Sequence, residues 1–357
     1  MSYRFDILRN GIKVGELKGV ESCSIHFDAD ANIKRSARLN CSASSFSMSV
    51  VKNKPEGIRL TFQLTAQFKG SNRLEYNSFT DRIAPFYNDM ALGLFMICSS
   101  PIVVDGKDKV YSFEMYDESF KLQQSKTSER YFIPSGTRYV AAVEQVLTST
   151  NITKTDIEDS DYVTNIDKEF EIGTSKLDII NGLLKEINYE SLWFNSEGYA
   201  VATKETTKLE PDFVYREGKY SNIHERINKN MDIYNVPNVF VGVVSTPDIS
   251  LLTYRTANES ASSQLSTVSR GYEVTAVYKL NDIASYDELV AYVDKKKLES
   301  MQVEEDVDIT TSIEKHEYKE CVELEAAGIV GLYIEKKWDI DMGNHTMRHT
   351  LERNVLL

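Results

Sequence analysis

The sequence contains little of what marks secreted, membrane or redox-active proteins. It has four cysteines in 357 residues, Cys23, Cys41, Cys98 and Cys321. They form no close pair, which predicts reduced, partly buried thiols in a protein made in the cytoplasm rather than a disulfide framework. The segment Met1–Asp6 does not begin a signal peptide, and no apolar run approaches the length of a membrane span. We therefore predict no membrane anchor.

An excess of positive charge is also lacking. The chain has 41 Lys and Arg against 54 Asp and Glu, a formal net charge of −13. This balance disfavours tight binding to nucleic acid or to anionic membranes, because both require clustered positive charge. The hydrophobic fraction of 41% is ordinary for a soluble globular protein. A chain of this length can form two or three domains.

Motifs of catalysis and cofactor binding are missing as well. His345 and His349 lie four residues apart, but on a turn and the strand after it they would be roughly 13 Å apart, too far to share one ion. His316 begins a His-Glu pair, yet Glu320 stands where a zinc-protease helix needs its second histidine. There is no Walker loop, no dinucleotide glycine fingerprint and no Gly-x-Ser-x-Gly elbow. We predict no catalytic, cofactor-binding or metal-binding residues.

Two features leave a carbohydrate-related role open. A glycosidase needs only two well-placed carboxylates, and this chain has many acidic residues. Trp193 and Trp338 could stack on sugars. Each tryptophan lies in an apolar strand context, so packing in the core is the favoured interpretation.

The stretch from Tyr131 to Lys204 is the part where apolar residues recur at helical spacing. Thr137 is the predicted N-cap of a first helix, and Ser175, with Asp178 three residues later, that of a second. The apolar faces consist of Val140, Val143, Val146 and Leu147, and of Leu177, Ile180, Leu184 and Ile187. A hairpin over residues 191–203 follows, so we predict a small α/β module.

The flanking regions have the alternation typical of strands. Asn10-Gly11 predicts a tight hairpin, since both turn positions take positive φ. Further predicted strands cover residues 22–27, 37–42, 58–68, 91–97, 110–115, 239–244, 271–278 and 307–313, with a turn at Asp105-Gly106 and a closing hairpin around Gly343-Asn344. Residues 256–269 are predicted to form a mobile loop. Ser285 is predicted to cap a helix that carries Leu289, Tyr292 and Val293.

Several blocks of the sequence resemble one family. The blocks are Ser78–Pro85, Leu92–Phe95, Ser99–Pro101, Tyr131–Thr137, Gly173–Trp193, Asn235–Val239, Ser266–Gly271 and the hairpin near Lys337 to His349. In this order they are similar to the central hub proteins of contractile phage-tail baseplates. More narrowly, they resemble the tail hub proteins of Gram-positive phages, defective prophages and phage-tail-like bacteriocins (tailocins).

This resemblance implies an α+β, mainly β fold with two tube-protein-like antiparallel β-barrels flanking the small α/β module. The implied domains are a first barrel over residues 1–130, the module over 131–205, and a second barrel with one helix over 206–357. Three chains would form a ring of six similar barrels, joining a hexameric tail tube to a trimeric spike. The implied partners are the tail tube or tube-initiator protein, the spike and baseplate wedge proteins, and DNA would pass through the channel at most transiently.

The resemblance also implies a location in the baseplate of a virion or tailocin particle, and a structural protein rather than an enzyme. Two other functions stay open at this point. One is a tail-tip cell-wall hydrolase, since some tail proteins fuse a hub to a lytic domain. The other is a host-surface carbohydrate-binding tail protein, which is compatible with a β-rich fold.

Overall fold

The computed structural model describes residues 2–42, 46–52, 60–67, 73–77, 79–99, 102–105, 108–206, 208–224, 226–246, 249–280, 285–300 and 302–356. Its fold is mainly β, with several antiparallel sheets and a few helices, which confirms the predicted class. No helix within these residues is long and apolar enough to cross a membrane.

The first part of the chain forms strands followed by a short helix. These are β1 (Tyr3–Arg9), β2 (Ile12–Glu16), β3 (Val20–Asp28), β4 (Arg35–Ser42), β5 (Phe46–Lys52), β6 (Leu60–Gln67), β7 (Arg73–Tyr76), β8 (Asp81–Tyr87), β9 (Met90–Ala91), β10 (Met96–Ser99), β11 (Ile102–Asp105), β12 (Asp108–Tyr116) and α1 (Ser119–Gln124). The hairpin at Asn10-Gly11 is confirmed, with φ of 49° and 77° at the two turn residues.

The strand predicted over residues 91–97 is interrupted. Strand β9 ends at Ala91 and β10 begins only at Met96. Gly93 adopts φ +153°, and a Cβ there would lie 2.5 Å from the ring of Phe95, so the backbone departs from a regular strand to let this ring into the core. The predicted positions Ile58, Phe68 and Gly106 lie outside the described residues.

The central part contains short strands and the two predicted helices. Its elements are β13 (Tyr131–Ile133), α2 (Tyr139–Thr148), β14 (Thr155–Ile157), β15 (Lys168–Phe170), α3 (Lys176–Glu186), β16 (Trp193–Phe194) and β17 (Ala200–Ala202). Ser175 is the N-cap of α3 and accepts a hydrogen bond from the backbone of Asp178, as predicted. The cap predicted at Thr137 is wrong. Helix α2 begins after Arg138, and the Thr137 hydroxyl donates to the carbonyl of Pro134 instead.

The last part returns to long strands. It comprises β18 (Phe213–Arg216), β19 (Asn228–Met231), β20 (Val239–Thr246), β21 (Ile249–Ala257), α4 (Thr267–Arg270), β22 (Thr275–Leu280), α5 (Tyr286–Ser300), β23 (Gln302–Ser312), β24 (Cys321–Ala326), β25 (Ile329–Asp341) and β26 (Thr346–Leu356). Ser285 accepts a hydrogen bond from the backbone of Glu288 at the start of α5, as predicted. The predicted loop 256–269 is shorter in the structure, because β21 runs to Ala257 and α4 begins at Thr267.

One large sheet joins the two ends of the chain. Eleven of the described strands belong to it, in the order β10-β12-β4-β3-β25-β26-β23-β19, with β11 on β12, β24 on β25 and β18 on β24. Strand β3 pairs with β25, so that Phe27 is the register partner of Trp338. Strands from the first and third predicted domains therefore share one sheet, and the boundaries at 130 and 205 stay predictions. The pairs β14–β17, β18–β24 and β20–β22 are parallel.

The buried apolar residues form separate clusters. The largest lies under β3, β4 and β12 and includes Trp338, which is 1% exposed and stacks on Phe27 with ring centroids 5.2 Å apart. The central helices have their own cluster. A third cluster lies among β18, β23, β24 and β26, and a fourth beneath α5. The core position predicted for Trp338 is therefore confirmed.

Candidate functional site

The segment of residues 313–320, between β23 and β24, contacts all three parts of the chain. The carboxylate of Glu317 accepts a hydrogen bond from Nη2 of Arg35 at 2.6 Å and another from the backbone N–H of Ser196 at 3.1 Å. The Tyr318 ring stacks on Trp193 at 5.4 Å and meets the edge of Phe27 at 6.1 Å. We call this segment the junction segment.

A buried cluster of ionisable groups lies where the junction segment meets β25 and β26. Nδ1 of His316 is 2.7 Å from Oε2 of Glu335, and Nδ1 of His349 is 2.5 Å from Oε1 of the same carboxylate. The side chains are 0%, 1% and 0% exposed in the order His316, Glu335, His349. One ligand atom from each lies within 4.8 Å of the others. A single carboxylate thus bridges two imidazoles in the interior.

The second nitrogen of each imidazole is held by a hydroxyl group. Nε2 of His316 lies 2.9 Å from the Tyr215 hydroxyl, and Nε2 of His349 lies 2.8 Å from Oγ1 of Thr311. The Tyr215 hydroxyl also donates to Oε2 of Glu314 at 2.8 Å. These contacts fix both ring orientations, so that both Nδ1 atoms face Glu335.

The environment shifts the pKa values of the cluster in different directions. Burial alone would lower the pKa of His316, but the hydrogen bond to Glu335 and the negative charges of Glu335, Glu320 and Glu314 together outweigh burial and raise it. Burial alone would raise the pKa of Glu335, and the two imidazoles outweigh it and lower that pKa. The pKa of His349 is lowered, chiefly by burial. Burial raises the pKa of Glu320 to about 7.

Glu320 adds a second carboxylate beside the cluster. Its Oε2 lies 3.2 Å from Nδ1 of His316 but makes no hydrogen bond, although it is buried. Imidazole and carboxylate together are a donor set that Zn²⁺ accepts in proteins. Because the cluster is closed to solvent, it offers no surface to a polymeric substrate such as a cell-wall glycan.

The spacing of the histidines along the sequence did not indicate this cluster. The structure separates His345 from His349, as predicted: His345 lies in the turn with φ 56° and stacks on Tyr3, while His349 is buried in β26. It then brings His349 to His316, with ring centroids 4.8 Å apart. No local spacing links the three residues, since Glu335 comes 19 positions after His316 and 14 before His349.

Comparison with known proteins identifies the fold. No protein-family model matches this sequence, and no curated protein matches it. Solved structures do match. The tail protein from Neisseria meningitidis MC58 has a TM-score of 0.62 at 10% sequence identity, and 99% of this chain and 97% of that chain are covered. The 43 kDa tail protein of prophage MuSo2 from Shewanella oneidensis has a TM-score of 0.60 at 10% identity, over 99% and 98% of the two chains.

A third structure extends the comparison. The prophage tail protein gp18 from Listeria monocytogenes EGD-e has a TM-score of 0.50 at 12% identity, over 98% of this chain and 94% of that chain. At such identities the likeness concerns the fold alone. The narrower grouping with Gram-positive phages and tailocins stays a prediction. The resemblance to tail hub proteins is confirmed at the level of the fold: along almost its whole length, this chain has the fold of phage tail proteins.

Proposed function

We propose that this chain is a structural hub of a phage-tail or tailocin baseplate. The observation that carries the proposal is the length of the match in fold: two tail proteins align over 97% and 98% of their own chains and over 99% of this one. A function carried by a single domain would require a similar fold in that domain only, not along the full length of the chain. The protein would act in the particle by its shape and would catalyse no reaction.

We propose further that three copies form a ring around a central channel. Each chain would contribute two barrels, so that a six-fold tail tube could join a three-fold spike on the same axis. The negative net charge of −13 supports a channel that repels phosphates, through which DNA passes without binding. The partners would be the tail tube or tube-initiator protein, the spike and the wedge proteins of the baseplate.

The surface of the central part supports assembly. Phe132 is 54% exposed, and Ile166 and Ile172, which flank β15, are 68% and 64% exposed. Large apolar side chains concentrated on one short region of a folded chain are typical of surfaces that a partner covers. An assembled ring or its neighbours in the baseplate would bury them.

The experiment is mass measurement and electron microscopy of the purified chain, alone and together with its tail-tube and spike proteins. We expect three copies per complex and images with three-fold symmetry. Ile166→Asp should weaken assembly while leaving the fold intact, whereas Glu144→Ala, on the exposed side of α2, should not. A compact monomer under all of these conditions would contradict the proposal.

A cell-wall digestion assay addresses the enzymatic alternative. We expect no digestion by the purified chain, and lysis abolished by changing one carboxylate would instead establish a hydrolase. The carbohydrate-binding alternative has no support from the tryptophans, because Trp338 is buried and one side of Trp193 is covered by Tyr318.

A further inference from the structure

We propose that His316, Glu320, Glu335 and His349 bind one Zn²⁺ ion, or a similar divalent transition metal, inside the protein. The ligand atoms would be Nδ1 of each imidazole and one oxygen of each carboxylate. Structural zinc sites are closed and four-coordinate, with nitrogen, sulfur or oxygen ligands. The three central side chains are at most 1% exposed, so this cluster meets the requirement for a closed site.

The orientation of the imidazoles supports a metal at this position. Both Nδ1 atoms point at the carboxylate of Glu335, and both Nε2 atoms point away from it to a hydroxyl. Histidines that ligate a metal almost always hold their second nitrogen in a hydrogen bond of this kind, which sets the tautomer and the ring orientation. The hydroxyls of Tyr215 and Thr311 would be these outer partners.

The hydroxyl proton of Tyr215 determines which nitrogen of the His316 imidazole carries a proton. The hydroxyl has one proton, and the carboxylate of Glu314 accepts it at 2.8 Å. Nε2 of His316 must then carry the proton that it donates to the Tyr215 oxygen. In the neutral ring the Nδ1 lone pair therefore faces Glu335, which can only accept.

The second ring has the same arrangement. The Thr311 hydroxyl donates its proton to the carbonyl of Ser312 at 2.8 Å, so Nε2–H of His349 donates to Thr311. Its neutral Nδ1 also faces Glu335. Each Nδ1 therefore needs either a proton of its own or a metal ion between it and the carboxylate. Two protons would create two imidazolium rings with centroids 4.8 Å apart in a dry interior, where like charges repel strongly, whereas one divalent ion serves both nitrogens.

Glu320 supplies an independent indication. A buried carboxylate oxygen without a hydrogen bond is costly, and Oε2 of Glu320 is in this state at 3.2 Å from Nδ1 of His316. A metal bound by His316 would satisfy it. Because Zn–N and Zn–O bonds are about 2.0–2.2 Å long, ligands of one ion lie at most about 4.3 Å apart. The ligand atoms of His316, Glu335 and His349 lie within 4.8 Å of one another, so binding would draw the ligands slightly closer together.

Such an ion would join three parts of the fold directly and a fourth through a hydrogen bond. His316 and Glu320 lie in the junction segment, Glu335 lies in β25 and His349 in β26, and Tyr215 attaches β18 to the same point. The metal would therefore hold the junction segment, which also contacts the first and central parts of the chain, against the large sheet.

The test is metal analysis of the full chain purified from cells grown with Zn²⁺, and of the chain from cells grown with Co²⁺ in its place. We expect about one metal ion per chain and, with Co²⁺, the visible absorption of a tetrahedral site. Glu320→Gln and His349→Gln should lose the metal and the absorption. The matched control is His26→Gln, which changes an exposed histidine on β3 and should keep both.

The wild-type chain alone can overturn the proposal, so it remains testable even where a variant does not fold. If that chain carries no metal after either growth, shows no visible cobalt absorption, and unfolds at the same temperature with and without a chelator, the cluster is a hydrogen-bond network only. Metal that persists in a folded His349→Gln variant would equally exclude this site.

Discussion

The guanidinium of Arg35 and the carboxylate of Glu317 form an ion pair across 282 sequence positions, with Nη2 and Oε2 2.6 Å apart. Arg35 is 1% exposed, and its Nη1 donates to the carbonyl of Leu92. The guanidinium also lies over the ring of Trp338 at 5.2 Å. A buried cation from the first part of the chain is thus neutralised by the junction segment.

Glu317→Ala should lower the free energy of unfolding by about 3 kcal/mol, because it leaves the guanidinium of Arg35 buried and without its counter-charge. The matched control is Glu323→Ala, which removes a pair with Arg216 whose side chains are 58% and 31% exposed. We expect the control to cost less than about 1 kcal/mol. Denaturant unfolding of the three proteins measures the difference, and equal costs would show that Arg35 is hydrated when Glu317 is absent.

Asp117 should make the protein less stable as the pH rises from about 4 to about 6. Burial raises the pKa of this carboxyl to about 6, from an ordinary value of 3.8, although it accepts hydrogen bonds from the backbone of Arg35 and Ser119. The folded state therefore binds a proton in this interval that the unfolded state has released. The resulting loss is on the order of 3 kcal/mol and is complete above pH 6.

Asp117→Asn removes this titration while keeping one acceptor oxygen. Unfolding free energies measured between pH 4 and pH 7 should fall less steeply with pH in the variant than in the parent chain. An identical slope in both proteins would show that Asp117 does not hold its proton in the folded state.

The caps of α2 and α3 separate what sequence can and cannot predict. Ser175 and Thr137 are both good N-cap residues before an apolar stripe, and local pattern gives no reason to prefer one. Only Ser175 caps its helix, because it stands directly before α3, whereas Arg138 holds that place before α2 and the Thr137 hydroxyl donates to Pro134. Local periodicity thus predicted the helices and their buried faces, and the predicted start of α2 was displaced by one residue.

Ser175→Ala should speed hydrogen exchange in the first turn of α3, because the backbone N–H of Asp178 loses its acceptor, and should cost about 1 kcal/mol. Thr137→Ala should leave exchange in the first turn of α2 unchanged. Exchange measured by mass spectrometry on peptides from the two helices distinguishes these results. Equal protection of α3 in the parent chain and in Ser175→Ala would contradict the assigned cap.

Among the strands, too, local sequence predicted some features and not others. Alternation and turn residues predicted the hairpins at Asn10-Gly11 and Gly343-Asn344, because each is set within a few residues. The pairing of β3 with β25 is not encoded in any short window, since Phe27 and Trp338 meet only when both ends of the chain reach one sheet. The His316–Glu335–His349 cluster depends on that same sheet, which is why spacing along the sequence did not indicate it.

Substitution of Gly198 tests how the central part of the chain packs against the first part. Gly198 and Gly136 both adopt φ +81°, so alanine at either position meets the same backbone strain, about 1–2 kcal/mol. They differ in surroundings: a Cβ at Gly198 would lie 2.5 Å from Cδ2 and 3.3 Å from Cβ of Leu94, whereas nothing lies within 4 Å at Gly136.

Gly198→Ala should therefore destabilise the protein more than Gly136→Ala, by a further 1–3 kcal/mol or so, because Leu94 has to move or the turn has to lift from it. Combining Gly198→Ala with Leu94→Ala should recover most of this excess, since the shortened side chain leaves room for the new methyl group. A double-mutant cycle on unfolding free energies measures the coupling. If the excess cost persists when Leu94 is shortened, the strain at residue 198 comes from the turn itself and not from its contact with the first part of the chain.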